Sequence, residues 1–427
     1  MRLGRLSLVL LLLSPLAYAS AAPAAECLHQ PSRSESAISG CANAAGLLGA
    51  TGLALMPDST RLFVAATRSS AVTTFARDPA TGDLAWRGCV SDNGTDGADG
   101  TGGRCVDGHA LKGAKALAVS PDARHLYVAA TRSGAIDTFS LAGELPVQIG
   151  CLKESAIDSR CDEGRGLAGA RSVAVSPDGR HIYVAAAAAD SVTWLERDGA
   201  TGRPHGGGCV SADGSDGACA DGHGLLRPSG VAVSADGRWV QVVASGSGAA
   251  TTFARDARDG HLTQVDCVMA DPPRSGPCRR MRTLAGAYGV AVGGSGTVAV
   301  AGRAAGAITL LRRDTKTGRL SRVACAASRR GACGRAPGLG APEAVAMSGD
   351  AIVATSAGGT VAILRQRAGR LAPSGCFAAI TRRGSPCPAV PGLAGAAGVV
   401  LVPGGRQAYV TAAGAHAVQT LPLEASG

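Results

Sequence analysis

Residues 169–186 read GARSVAVSPDGRHIYVAA, and residues 113–130 read GAKALAVSPDARHLYVAA. The same phrase therefore occurs twice, 56 residues apart, and looser copies follow it: GVAVSADG at Gly230–Gly237, GVAVGGSG at Gly289–Gly296 and QAYVTAA from Gln407. Each copy pairs two short valine-rich runs across a tight step. In the SPDG form of that step, proline presets φ and glycine accepts the positive φ that a hairpin turn needs. A third run follows, AVTTFARD from Ala71 or SVTWLERD from Ser191. A Thr-Gly turn (Thr81-Gly82, Thr201-Gly202, Thr317-Gly318) then leads to a fourth run that carries a cysteine. Runs of four to eight residues bounded by Gly, Pro and Asp are the mark of short antiparallel strands, and no helical period competes with them.

The unit recurs seven times. Cys27, Cys89, Cys151, Cys209, Cys267, Cys325 and Cys376 are spaced by 62, 62, 58, 58, 58 and 51 residues. Seven four-stranded units in one chain predict an all-β, seven-bladed propeller. An open solenoid is the alternative, and the ends of the repeat argue against it. The last unit supplies three strands, while AECLHQ (Ala25–Gln30) is an isolated fourth-strand equivalent with its own cysteine. That N-terminal strand is expected to complete the seventh blade and close the ring, leaving no free sheet edge.

The fourteen cysteines form close pairs, and one disulfide per unit is expected: Cys27–Cys41, Cys89–Cys105, Cys151–Cys161, Cys209–Cys219, Cys267–Cys278, Cys325–Cys333 and Cys376–Cys387. Each would close a loop of 8–16 residues, stabilising the fold by about 2–3 kcal/mol on a loop-entropy model. Zinc would want tighter pairs or histidine partners, and the histidines do not track the cysteines. The opening MRLGRLSLVLLLLSPLAYAS has a basic start, an apolar core and an Ala-Tyr-Ala cleavage site. Residues 1–19 therefore read as a secretory signal, too short for an anchor, and 20–427 as one exported, soluble and monomeric domain.

The net charge is +10, but only four of the 42 basic residues are lysine and aromatics are 3% of the chain. Stacking platforms for nucleic acid are scarce, so that class of partner is excluded. The expected partner is an extracellular ligand, a small anionic molecule or an anionic polymer. No cofactor is expected; calcium is the weaker alternative at DNGTDGADG, where Asp92, Asp96 and Asp99 offer hard oxygen ligands without EF-hand spacing.

The elements VAVSPDGRHIYVAA and YVTA resemble the YVTN-type repeats and the lactonase-family seven-bladed propellers, over essentially the whole mature chain. The resemblance implies the fold, and as an activity it implies lactone hydrolysis or lactonisation. In that family histidines sit near the start of inner strands beside arginine and glutamate. Here Arg171 and Glu343 match in residue type, and no histidine occupies an inner-strand position.

Two features suggest where a site would lie. The loops after units one to three are acidic: Asp92, Asp96, Asp99 and Asp107, then Glu154, Asp158, Asp162 and Glu163, then Asp213, Asp216 and Asp221. The loops after units four to six are basic: Arg274, Arg279, Arg280 and Arg282, then Arg329, Arg330 and Arg335, then Arg382 and Arg383. A basic arc attracts anions, although such runs are also ordinary solvated surface. The second feature is the position two residues before each inner strand's first aliphatic residue. It holds Thr51, Lys115, Arg171, Ser229, Tyr288, Glu343 and Ala397 between columns that are nearly invariant Ala, Gly, Val or Leu. Seven inner strands converge on one channel mouth, so Lys115, Arg171, Tyr288 and Glu343 are candidates to bind a carboxylate or to do acid–base work. Arg68 and Arg132, in matching loops on that face, are secondary candidates. Two functions follow: a secreted binding scaffold working through this face, or an exported lactonase-type enzyme with Glu343 as base and Arg171 and Lys115 holding a carboxylate.

Overall fold

The computed structural model describes residues 27–31, 37–95, 100–155, 160–329, 331, 333–367, 369–380 and 385–423; residues 1–19, which read as an export signal, lie outside them. Seven sheets follow one another along the chain, each with four antiparallel strands. Each inner strand packs on the inner strand of the next sheet, and the last, Ala396–Leu401, packs on the first, Ala50–Leu55. The ring is closed as the sequence predicts. Cys27–His29 runs antiparallel to Ala417–Pro422, with Leu28 opposite Val418, and supplies the fourth strand of blade 7. Among the described residues no helix is long and apolar enough to cross a membrane.

Blade 3 shows the plan. Ala170–Val175, His181–Ala186, Ser191–Arg197 and Pro204–Ser211 run from the axis outward. The second strand is buried along its whole length, which is why its sequence is apolar on both faces rather than alternating. Each blade-to-blade junction has its own apolar core. Between blades 3 and 4 it is built from Val192, Leu225, Val231, Val242 and Phe253.

Six blades carry a fifth strand that the sequence does not announce. In blade 3 it is Ala220–Asp221, parallel to the fourth strand, with Val210 opposite Ala220. That register puts Cys209 beside Cys219, and all seven expected disulfides form across Cα separations of 4.4–4.9 Å. The described residues contain no free cysteine. Two-residue strands have no periodicity to detect; the disulfide holds them in place. Seven disulfides point to an oxidising compartment outside the cytoplasm.

The recurring phrase also carries a polar tie between blades. Arg255, at the end of the third strand of blade 4, reaches back into the hairpin of blade 3. Its Nε donates to the Tyr183 hydroxyl (2.9 Å), and its Nη2 donates to Asp178 Oδ2 (2.7 Å) and His181 Nδ1 (2.6 Å). Tyr183 in turn donates to the Gly260 carbonyl at 3.1 Å. Arg197 ties blade 3 to Tyr127, Asp122 and His125 of blade 2 in the same way. The Asp, His and Tyr of SPDGRHIY are thus partners of the next blade's arginine. Burial and the adjacent arginine charge hold both imidazoles below their ordinary pKa, so each accepts a proton donor as a neutral ring. The ring is not uniform. At the junction of blades 4 and 5, Gln241 and Trp239 stand where tyrosine and histidine stand in blades 2 and 3, and Arg313 is left with Nε and Nη1 buried and unpartnered. At the next junction the arginine itself is replaced by Gln366.

Candidate functional site at the channel mouth

Thr51, Lys115, Arg171, Ser229, Tyr288, Glu343 and Ala397 line a single 180 Å³ cavity where the seven inner strands meet. The backbone explains their convergence. Every inner strand shifts register at this position against the second strand of its own blade, between Ala114 and Ala116 in blade 2 and between Ala170 and Ser172 in blade 3, for example. A β-bulge adds one residue and re-aims its side chain. Here it turns one side chain per blade into the channel. The residue after each bulge is small: Gly52, Ala116, Ser172, Gly230, Gly289, Ala344 and Gly398. The reason is a close approach of neighbouring blades, since a Cβ on Gly289 would lie 2.4 Å from the Glu343 carbonyl oxygen and one on Gly398 2.0 Å from that of Thr51.

The seven residues divide by what their polar atoms do. Thr51 Oγ1 is shared between the carbonyls of Lys115 (3.1 Å) and Ala65 (3.4 Å), and Ser229 Oγ between those of Ala287 (3.1 Å) and Val243 (3.3 Å). These two hydroxyls join adjacent blades, and Ala397 has no polar side chain. Lys115, Arg171, Tyr288 and Glu343 remain for chemistry. Arg171 of blade 3 reaches past Ser229 to blade 5, where its Nη2 donates to the Tyr288 hydroxyl and its guanidinium carbon lies 4.7 Å from the ring centroid. Its Nε is buried without a partner. Burial, then the Arg171 charge, brings the Lys115 ammonium down to about 8, against an opposing pull from Glu343.

A fifth group belongs to this cluster and was not foreseen. Arg303 lies in the turn between the second and third strands of blade 5. It pairs with Glu343 Oε1 at 3.2 Å and lies over the other approach to Tyr288, 5.5 Å from the centroid. A signal for it exists, because the equivalent turn position holds Thr67, Thr131, Ala187, Ser245, Ala357 and Ala413 in the other blades. Only blade 5 places a charge there. Two cations and one carboxylate thus line the cavity, and a third cation, Arg303, is paired with that carboxylate.

The remaining candidates lie elsewhere. Arg132 Nη2 donates to the Thr67 carbonyl (2.8 Å) and to Ser70 Oγ (3.1 Å), and Arg68 Nη1 meets His416 Nε2 at 3.0 Å. Both arginines bridge neighbouring turns and do not line the cavity. Arg279 is held by Asp266 (2.7 Å) and the Leu320 carbonyl (2.8 Å), Arg280 pairs with Asp271 (2.8 Å), and Arg282 is exposed. The acidic arc is partly structural: Asp92 accepts from the Leu111 amide and Glu154 from the Leu167 and Ala168 amides, fastening each loop to the next blade's entry turn. Asp92 also faces Lys112 at 3.8 Å. Asp96, Asp99, Asp158, Arg330, Arg382 and Arg383 lie outside the described residues, as does the side chain of Asp216.

The family model described as Lactonase, 7-bladed beta-propeller matches residues 104–273, a span running from the end of the first unit into the fourth. The chain resembles a seven-bladed lactonase. Solved structures similar to this lactonase-like propeller include a periplasmic gluconolactonase of Pseudomonas aeruginosa, at 18% identity and TM-score 0.54, with 79% of this chain and 86% of that one covered. Virginiamycin B lyase of Staphylococcus aureus aligns at 9% identity and TM-score 0.56 over 88% and 96%. Hydrazine synthase of Kuenenia stuttgartiensis aligns at 15% identity and TM-score 0.57 over 91% and 99%. At such identities the likeness is one of fold, which hosts unrelated chemistries. No curated protein matches the chain.

One pH effect follows from the lysine of the lactonase-like propeller. Lys115 is charged below about pH 8 and neutral above it, so affinity for any anion held at the channel mouth should fall as pH rises through 8. If a bound anion raises the lysine pKa by one unit, the total loss is roughly tenfold. Titrating a small carboxylate ligand between pH 6.5 and 9.5 measures it, and Lys115→Met should flatten the profile.

Proposed function

We propose that this protein is an exported hydrolase of a small lactone bearing an anionic group, bound at the channel mouth. The observation that carries the reading is the convergence of Lys115, Arg171, Tyr288 and Glu343 on one cavity, with the buried Arg171 Nε lacking a protein partner. A buried donor of this kind is costly unless a ligand accepts from it. Arg171 and Lys115 hold the anionic group. Glu343, kept in place by Arg303, takes a proton from water as its oxygen bonds the lactone carbonyl carbon. The ring C–O bond then breaks, the departing alkoxide takes up that proton, and a hydroxy acid leaves. The leader-like residues 1–19 and the seven disulfides support export.

A second reading, ligand binding without turnover through the same face, is favoured by two observations. Glu343 is already paired with Arg303, and none of the seven bulge residues is histidine. A panel of acidic sugar lactones and aliphatic lactones separates the two. Turnover should fall at least hundredfold in Glu343→Gln. Turnover that survives this change rejects the proposed base. Binding of the hydroxy acids with no turnover of any lactone favours the binding reading.

A further inference from the structure

Beside the channel mouth lies a second depression of 540 Å³, lined by Thr283, Ala304, Ala305, Ala327, Ser328 and Arg329 among others. It adjoins both partners of the Arg303–Glu343 pair along the chain. Ala304 follows Arg303 in the chain, and Gly340, which also lines the depression, lies three residues before Glu343. Its walls are short side chains, so a ligand chain can lie against them. Two polar features mark it. The Thr283 hydroxyl is buried without a partner, and the exposed Arg329 puts a positive charge in its lining, which contains no carboxylate among the described residues. Small-molecule sites usually occupy roughly 300–1,000 Å³. The 180 Å³ channel mouth falls short of that range, and the 540 Å³ depression beside it lies within it.

We infer that the ligand is the end of an anionic oligomer: its terminal unit enters the channel mouth and the next unit lies in this groove, its negative charge facing Arg329. The inference rests on the channel mouth being the ligand site proposed above. Calorimetry with monomeric, dimeric and trimeric galacturonic acid, as representative acidic sugars, tests it. The dimer should bind at least tenfold tighter than the monomer, and the trimer little tighter than the dimer. Ala305→Trp, which fills the groove, and Arg329→Glu, on an exposed side chain, should each abolish the gain while leaving monomer affinity within twofold. Monomer binding with no gain for the dimer overturns the groove alone, as does a gain that survives Arg329→Glu. Failure of all three to bind overturns the channel-mouth reading and the groove together.

Discussion

Arg171→Met should lower affinity for a small carboxylate, or kcat/KM for an acidic lactone, by about a hundredfold. Arg171 is the one guanidinium in the cavity that combines a buried, unpartnered Nε with an Nη2 already oriented by the Tyr288 hydroxyl. Its planar fork is therefore preset to donate two parallel hydrogen bonds to a carboxylate. A hydrogen bond to a charged group contributes about 1.5–3 kcal/mol, and the second arm of the fork adds to it. About 2.8 kcal/mol corresponds to the hundredfold loss. Arg171→Lys keeps the charge and loses the fork, so it should recover only part of the affinity. Tyr288→Phe removes the orienting hydroxyl alone and should cost less than tenfold. The melting temperature should change little in Arg171→Met, because relief of the buried unpaired Nε offsets the lost contacts with Tyr288. An affinity within threefold of the parent protein would reject Arg171 as the anion's partner.

Asp178→Ala should destabilise the protein by about 2–3 kcal/mol, seen as a lower urea midpoint, by taking the carboxylate from a buried arginine. The Arg255 side chain is 2% exposed, and Asp178 is its charged partner across the junction of blades 3 and 4. Burial would raise the Asp178 pKa, but hydrogen bonds from Ser176 and Arg255 outweigh it and bring the carboxyl down to about 2. Because the folded pKa lies below the ordinary 3.8, this stabilisation is fully present above about pH 4 and is lost as pH falls toward 2. The variant should accordingly differ from the parent at pH 7 and converge with it near pH 2. Asp350→Ala, which breaks the exposed pair with Arg365, is the contrast and should cost no more than about 0.5 kcal/mol. If the two variants lose equal stability at pH 7, the Arg255 tie is no more than surface pairing.

Much of this was legible in the sequence because a propeller repeats its instructions. Strands whose runs recur every 51–62 residues, a hairpin step built on Asp-Gly and one cysteine pair per unit describe local structure, and local structure is what short-range pattern reports. The varied column was legible for the same reason. Lys115, Arg171, Tyr288 and Glu343 break a pattern that their neighbours keep. Other features were hidden. His125 and His181 read as residues after a turn, whereas their ring nitrogens serve arginines 72 and 74 residues away. Arg68 and Arg132 share a position in the repeat, yet both turn toward the neighbouring blade rather than the cavity. Arg303 stands alone in its column and joins the site because Glu343 and Tyr288 of adjacent blades close around it.

By itself, then, the sequence determined the seven-bladed ring, its closure through Cys27–His29, the disulfide in each unit and the one column that differs from blade to blade. These follow from periodicity, turn chemistry and cysteine spacing, all of which act over a few residues along the chain. The tertiary structure alone decided that a bulge turns this column into the channel, that two of its hydroxyls are taken up in joining blades, and that four side chains share one cavity with Arg303 paired to one of them. A side chain's direction and its partners depend on strand register and on the packing of neighbouring blades, which bring together residues more than a hundred positions apart, as with Arg171 and Tyr288.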